Sequence, residues 1–196
     1  MNLIERIKNI LLKPTTEWET IKKEDHMVSD LFTQYALKLA AIPAISGLIG
    51  FTLFGYSYGF GSYRPPFGSN LKWAISMYVM SIVGVYVLAF IIDFLAPTFG
   101  SKKHLPTSMK IVVFAYTAAW VGGIFNLVPA LSILGAIAGI YSLVLMYKGL
   151  QIVKEVPKNK MVGYFVTVII ASLIVYGVTG AIITRFAFSG RPMMPM

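Results

Sequence analysis

Asp93, in the stretch Phe90 to Pro97 (FIIDFLAP), is the acidic residue that falls inside a long apolar segment. A carboxylate held in hydrocarbon is costly, so it is by default a candidate for moving a proton or cation, or for an ion pair at the end of a helix. Three residues of helix place it ~5 Å from the end of its segment, where Lys102, Lys103 or Lys110 can reach it. Both readings therefore stay open. Tyr86, seven residues earlier on the same helical face, extends Asp93 into a thin polar track. Asn126, just before Pro129, either caps a turn or meets a ligand.

Most other chemistry is excluded by the residue inventory. The chain has no cysteine, which removes disulfides, thiolate metal sites and Cys nucleophiles. His26 and His104 are the only imidazoles, too few for a three-His metal site. No P-loop, HExxH motif or pair of membrane-embedded carboxylates is present, and both histidines fall outside the apolar segments. Gly59-Phe60-Gly61 lacks the third glycine and the preceding strand of a dinucleotide fingerprint. Met193, Met194 and Met196 offer soft thioethers, but at a frayed terminus. The expectation is a non-enzyme with no catalytic residue, metal or cofactor.

The elements that must position these residues follow from composition. Of 196 residues, 57% are hydrophobic and 13% charged, about half the charge of an average soluble domain. That composition specifies an all-α polytopic membrane protein. Five stretches have the ~20 apolar residues a helix needs to cross a bilayer: Leu31 to Phe54, Leu71 to Ala96, Met109 to Val128, Ala130 to Leu150 and Met161 to Ala187. The third and fourth are parted only by a turn ending in Pro129, so they form an antiparallel hairpin. Pro43 should bend the first. Small residues four apart (Ser46 and Gly50; Ala115, Ala119 and Gly123; Gly135 and Gly139; Gly177 and Ala181) read as seams for close helix packing. A Gly135/Gly139 homo-oligomer face is the alternative for one of them.

The net charge of +9 does not point to nucleic acid in such a chain; it orients the bundle. Thirteen cations flank one side (Arg6, Lys8, Lys13, Lys22, Lys23 and Lys38; Lys102, Lys103 and Lys110; Lys148, Lys154, Lys158 and Lys160). Four flank the other (Arg64, Lys72, Arg185 and Arg191). The positive-inside rule then puts the N-terminus in the cytoplasm and the C-terminus outside. Charges threaded through Met1 to Lys13 leave no uninterrupted signal-peptide core, so the first span is expected to serve as its own insertion signal.

Residues 1–30 form a cytoplasmic amphipathic segment, 31–188 the five-helix domain and 189–196 a short external tail. Leu3, Ile4, Ile7, Ile10 and Leu11 share one helical face; Pro14 ends that helix, and Thr16-Glu17-Trp18-Glu19 has the pattern of a capping box opening a second. Ile7, Trp18, Lys22 and Lys23 are the lipid- or partner-facing candidates, with Trp18 at headgroup depth; the alternative is that these helices cover the end of the bundle. Gly55 to Asn70, rich in Gly, Tyr and Pro, suggests a mobile or polyproline-like loop.

The N-terminal LIERIKNILLKPTTEWETIKKE, the block FIIDFLAPTFGSKKHLPTSMKIVVFAYTAAWVGGIFNLVPALSILGAIAGIYSLVLMYKGL and the following VPKNKMVGYFVTVIIASLIV resemble the prokaryotic branch of the Yip family of multi-spanning Ypt/Rab-interacting membrane proteins. The motif positions are Pro14 and Trp18, Pro97 and Gly100, Tyr116 to Trp120, Pro129, and Gly163 and Tyr164; Ser101 departs where relatives often carry a second glycine. The resemblance implies five helices, a cytoplasmic N-terminus and residence in an inner membrane. It does not carry Rab binding, because only about thirty residues precede the first span here. Together these readings favour a membrane scaffold or interaction protein whose partners are lipids and other membrane proteins. A permease or channel using Asp93 is the alternative.

Overall fold

The computed structural model describes residues 2–25, 27–58 and 61–188. Five helices long and apolar enough to cross a membrane follow one another: span 1 Val28–Leu53, span 2 Phe67–Phe99, span 3 Leu105–Leu127, span 4 Pro129–Ile152 and span 5 Lys158–Ala187. Every predicted span is present, and each runs a few residues further at one or both ends. The fold is all-α and polytopic. The tail from 189, with its three methionines, and His26 lie outside the described residues.

Two short helices precede the spans. Asn2 caps α1 (Leu3–Leu12), its side-chain oxygen accepting from the Ile4 and Glu5 amides. Helix α2 (Pro14–Lys23) starts one residue after Lys13, with proline at its first position and no side-chain cap. The expected capping box is thus inside the helix rather than at its start, because proline supplies the first turn at no hydrogen-bond cost. The loop between spans 1 and 2 is not polyproline: β1 (Tyr56–Tyr58) and β2 (Gly61–Tyr63) pair antiparallel, Tyr56 opposite Tyr63. Gly55 turns into it at φ +74°, a conformation open to glycine.

Span 3 is the hub. Its Ser108 to Ala115 run is buried residue after residue, wrapped by spans 1, 2 and 4 and by both N-terminal helices. It is also irregular, with α-helix to Ala115, a second helix from Thr117 to Gly122 and a 3-10 turn over Gly123–Leu127. Span 1 begins with a π-helical turn, Leu31–Ala36, and carries Pro43 within its α-helix. That proline packs on span 3: a Cβ added to Gly123 would lie 2.4 Å from the Pro43 Cβ. At Gly50 the approach is closer still, with an added Cβ only 2.0 Å from the Asn126 carbonyl oxygen.

The expected seams therefore divide. Those of spans 1 and 3 are used within the chain, and Gly135 approaches the Gly122 carbonyl. Gly139 and Gly177 have nothing within 4 Å of where a side chain would be. They do not serve as internal seams; spans 4 and 5 meet instead through the edge-to-face pair Tyr147 and Phe165 at 5.1 Å.

Candidate functional site

The polar groups of the bundle concentrate at the end bearing the N-terminus, in two buried clusters. The first surrounds Arg6. Its guanidinium pairs with Glu17 and, at 2.6 Å, with Glu24, and lies 5.5 Å from the centre of the Phe114 ring. Lys110, buried in span 3, donates to the Ile21 carbonyl at 3.1 Å and to the Glu24 carbonyl. The last carbonyls of α2 are thereby satisfied by a lysine from the hub, which is how a helix end with no room for water can be closed. Below this, Tyr35 donates to Thr117 at 2.7 Å, and Thr117 to the Phe114 carbonyl at 2.7 Å.

Trp18 is fully buried at the same place, edge-on to Phe114, and its ring fills the space over Gly149, whose added Cβ would come 3.0 Å from it. The expectation of a tryptophan at headgroup depth is corrected: Ile10, Trp18 and Ile21 are in the core, and Ile7 packs against it. The helical wheel placed Leu3, Ile7, Ile10 and Leu11 properly on the inward face, but not Ile4, which faces out. It could not say that the face meets protein, since hydrocarbon and a bundle end select the same residues. Ile4 and Leu12, 76% and 69% exposed, with Lys8 midway, form the outward edge of α1 instead. Lys22 and Lys23 are exposed as expected, Lys22 paired with Glu155.

The second cluster is built on Asp93. Its Oδ1 accepts from Lys154 Nζ at 2.8 Å, from the Ser108 hydroxyl at 3.0 Å and from the His104 amide at 2.7 Å. Lys154, from the loop after span 4, also donates to Ser108 Oγ at 2.7 Å. The partner is therefore none of the three lysines near in sequence. A carboxylate on span 2 caps the first turn of span 3, complementing its helix dipole, while a buried lysine ties both to the span 4 to span 5 loop. Tyr86 does not continue the cluster: it is half exposed and leans on Phe32 at 6.1 Å, away from Asp93.

Burial pushes the Lys154 ammonium below its ordinary pKa of 10.5, and Asp93 opposes that shift. A lysine with a lowered pKa in the fold binds fewer protons than the unfolded chain does between that lowered value and 10.5, so this residue's contribution to stability rises with pH across that alkaline window. Asp93→Asn removes the opposing charge and leaves Lys154 unbalanced. We expect it to lower stability at neutral pH by about 3 kcal/mol and to extend the alkaline rise to lower pH, both read from detergent unfolding curves at a series of pH values.

Four of the motif positions, Pro97, Gly100, Gly163 and Tyr164, gather beside this cluster. Pro97 opens a single 3-10 turn that Gly100 closes at φ +77°, its amide donating to the Ala96 and Pro97 carbonyls. Pro157 stands 3.3 Å from where a Gly100 Cβ would be. Tyr164 stacks on Phe99 at 4.7 Å and donates to the Ile92 carbonyl, and Gly163 leaves room for the Phe99 ring. Pro14 starts α2, and Pro129 starts span 4. Asn126 is half-buried beside the span 3 to span 4 turn, where its backbone, not its side chain, receives Gly50.

Sequence inspection missed Arg6, Lys110 and Lys154 as interior groups, counting all three as flanking cations. Two openings flank the clusters. A broad cleft of about 880 Å³ runs between α2 and the span 4 to span 5 loop, lined by Glu19, Lys22, Lys23, Glu155 and Lys158. A smaller one of about 280 Å³ is lined by Ser101, Lys102, His104, Thr107 and Lys154. Among the described residues no group of three or more His, Cys, Asp or Glu is placed to hold a metal ion.

The family model of the Yip1 domain matches residues 8–179. Among curated proteins the chain is similar to "Inner membrane protein YohC" of Escherichia coli strain K12, 25% identical over 155 residues that cover 77% of this chain and 80% of that one. The protein of the same name from Escherichia coli O6:H1 matches to the same extent. No solved structure matches.

Proposed function

The chain belongs to the Yip1 domain family, and from that premise we propose that it is a non-enzymatic scaffold of the inner membrane, holding anionic lipid and partner membrane proteins at its basic, N-terminal face. The observation carrying this reading is the way α1 and α2 are spent. Glu17 and Glu24 turn inward onto Arg6 with most of the apolar groups, and the charge these helices leave outside is cationic in balance: Lys8, Lys13, Lys22 and Lys23 against Glu5 and Glu19, joined by Lys102, Lys103, Lys158 and Lys160 from the other loops. Ile4 and Leu12 lie at the edge of that face, where apolar side chains can enter the acyl boundary beside lysines on headgroups. The cation count favours the cytoplasm for this face, and the inner-membrane location follows the relatives' name.

The permease reading has less support. Asp93 is engaged with three donors at the bundle end, Tyr86 leans away from it, and among the described residues the cavity beside Tyr116 and Trp120 does not reach it. Flux of protons or cations into liposomes, abolished by Asp93→Asn, would reverse this preference.

The scaffold reading is tested in nanodiscs of mixed zwitterionic and anionic lipid. A lysine near an anionic surface contributes about 1 kcal/mol, so the double charge reversal Lys22→Glu/Lys23→Glu should weaken anionic-lipid enrichment by about tenfold or more. Ile4→Asp should weaken it too, with the fold intact. Enrichment unchanged in both variants would overturn the proposal.

A further inference from the structure

The opposite half of the bundle holds a cavity of about 290 Å³ between spans 2, 3, 4 and 5. No charged residue is among the described residues that line it. Its walls run from Tyr116 to Asn126 along span 3, ten residues or roughly 15 Å of helix, which is half of a ~30 Å hydrocarbon core. It is thus one leaflet deep. Its polarity is graded along that depth. Asn126 and Ser132, flanking the span 3 to span 4 turn at the membrane surface, are the polar groups at its mouth. Further in, the polar groups are spent on one another: Trp120 donates to Ser81 at 2.9 Å, Thr179 donates to the Tyr176 carbonyl at 3.1 Å, and Tyr116 stacks on Tyr176 at 6.1 Å with the two hydroxyls paired, so the deeper wall presents aromatic faces and Met77 and Met80.

The cavity opens sideways. Its walls on spans 4 and 5 include the exposed residues Ser132, Ala136, Tyr176 and Gly180, and Gly180 has nothing within 4 Å of the position its Cβ would take. Water is excluded from this depth by the surrounding hydrocarbon, and an empty space here would forfeit the contacts of every atom lining it.

We propose that this groove is a lipid site that takes one acyl chain of a bilayer glycerolipid from the leaflet opposite the N-terminal face, with the ester region meeting Asn126 and Ser132 at the mouth. Depth, neutrality and the polar-to-apolar grading fit a fatty chain attached to a glycerol ester. They do not fit a charged solute. The site is independent of the basic face and of whatever binds there, so either reading can fail alone.

Trp120 is the natural probe: it lines the groove yet is 3% exposed, so bulk lipid alone should reach it poorly. With Trp18→Phe and Trp73→Phe it becomes the single tryptophan. Reconstituted into lipid brominated along the acyl chains, that protein should lose much of its fluorescence. Adding Gly180→Leu, which fills the groove without a clash, should return it close to its value in unbrominated lipid. Gly177→Leu, on the same span in open space but outside the groove, should leave the quenching unchanged. Lipid retained through detergent extraction, read by mass spectrometry, should disappear with Gly180→Leu in the otherwise wild-type protein. Equal quenching with and without Gly180→Leu overturns the proposal. So does disulfide dimer formation by Gly180→Cys in this cysteine-free chain, which would show a second copy seated on the groove.

Discussion

Arg6→Met lowers the unfolding free energy in detergent by about 3–5 kcal/mol, although the residue lies outside every span. The reason is what it leaves behind. Glu17 sits with its side chain 9% exposed against Arg6, and removing the guanidinium strands that carboxylate beneath α1 with its desolvation uncompensated. Arg6 also stacks on Phe114 and pairs with Glu24, so one substitution loosens α1, α2 and span 3 together. The double variant Arg6→Met/Glu17→Leu should recover most of the loss, because a buried ion pair is worth little more than apolar residues of the same volume. Denaturation curves of both variants beside an exposed control, Lys8→Met, decide the matter. If Arg6→Met is as mild as the control, the cluster does not hold the N-terminal helices in place.

The second large effect is at Trp18. Trp18→Ala empties a fully enclosed site between Phe114, Ile111 and Gly149 and should cost about 3–5 kcal/mol. Trp18→Phe should cost much less: the ring is kept, and the indole Nε1 is buried without a hydrogen-bond partner among the described residues, so no bond is lost with it. This pair of variants separates the core role from a lipid-anchoring one. A headgroup tryptophan would change membrane partition with little effect on unfolding; a core tryptophan does the reverse.

The architecture was readable because the membrane imposes one rule on every span, and that rule is written in length and hydropathy. Leu71 to Ala96 and Met161 to Ala187 can be little else. The buried clusters were not readable, for a physical reason. Lys110 and Lys154 sit within a few residues of span ends and Arg6 on an amphipathic helix, places where a long cationic side chain reaches headgroups or folds back into the bundle equally well. Sequence spacing is silent on which, since the deciding partners are far away: Asp93 and Lys154 are 61 residues apart, Lys110 and the Ile21 carbonyl 89. Asp93 was singled out correctly as the costly group in its span, but proximity in sequence pointed to Lys102, Lys103 and Lys110. The outer loop failed differently. Its Gly, Tyr and Pro content suggested a mobile or polyproline-like loop, whereas Gly55 turns the chain and Tyr56–Tyr58 pairs with Gly61–Tyr63 as antiparallel strands.

The docking of α1 and α2 on spans 3 and 4 also sets an order of events in the making of the chain. Lys148 bonds Thr15 across 133 residues of sequence, and Trp18 needs Gly149 to close its site. At about 5–20 residues per second, span 4 leaves the ribosome roughly ten seconds after α2. During that interval Ile10, Trp18 and Ile21 lack part of the protein surface that finally covers them, and an amphipathic pair of helices next to a bilayer has one ready alternative, which is to lie on it. Helices made before the spans that cover them should thus be among the last to reach their final place. The nascent protein should pass through a membrane-surface state before its own bundle takes those helices back.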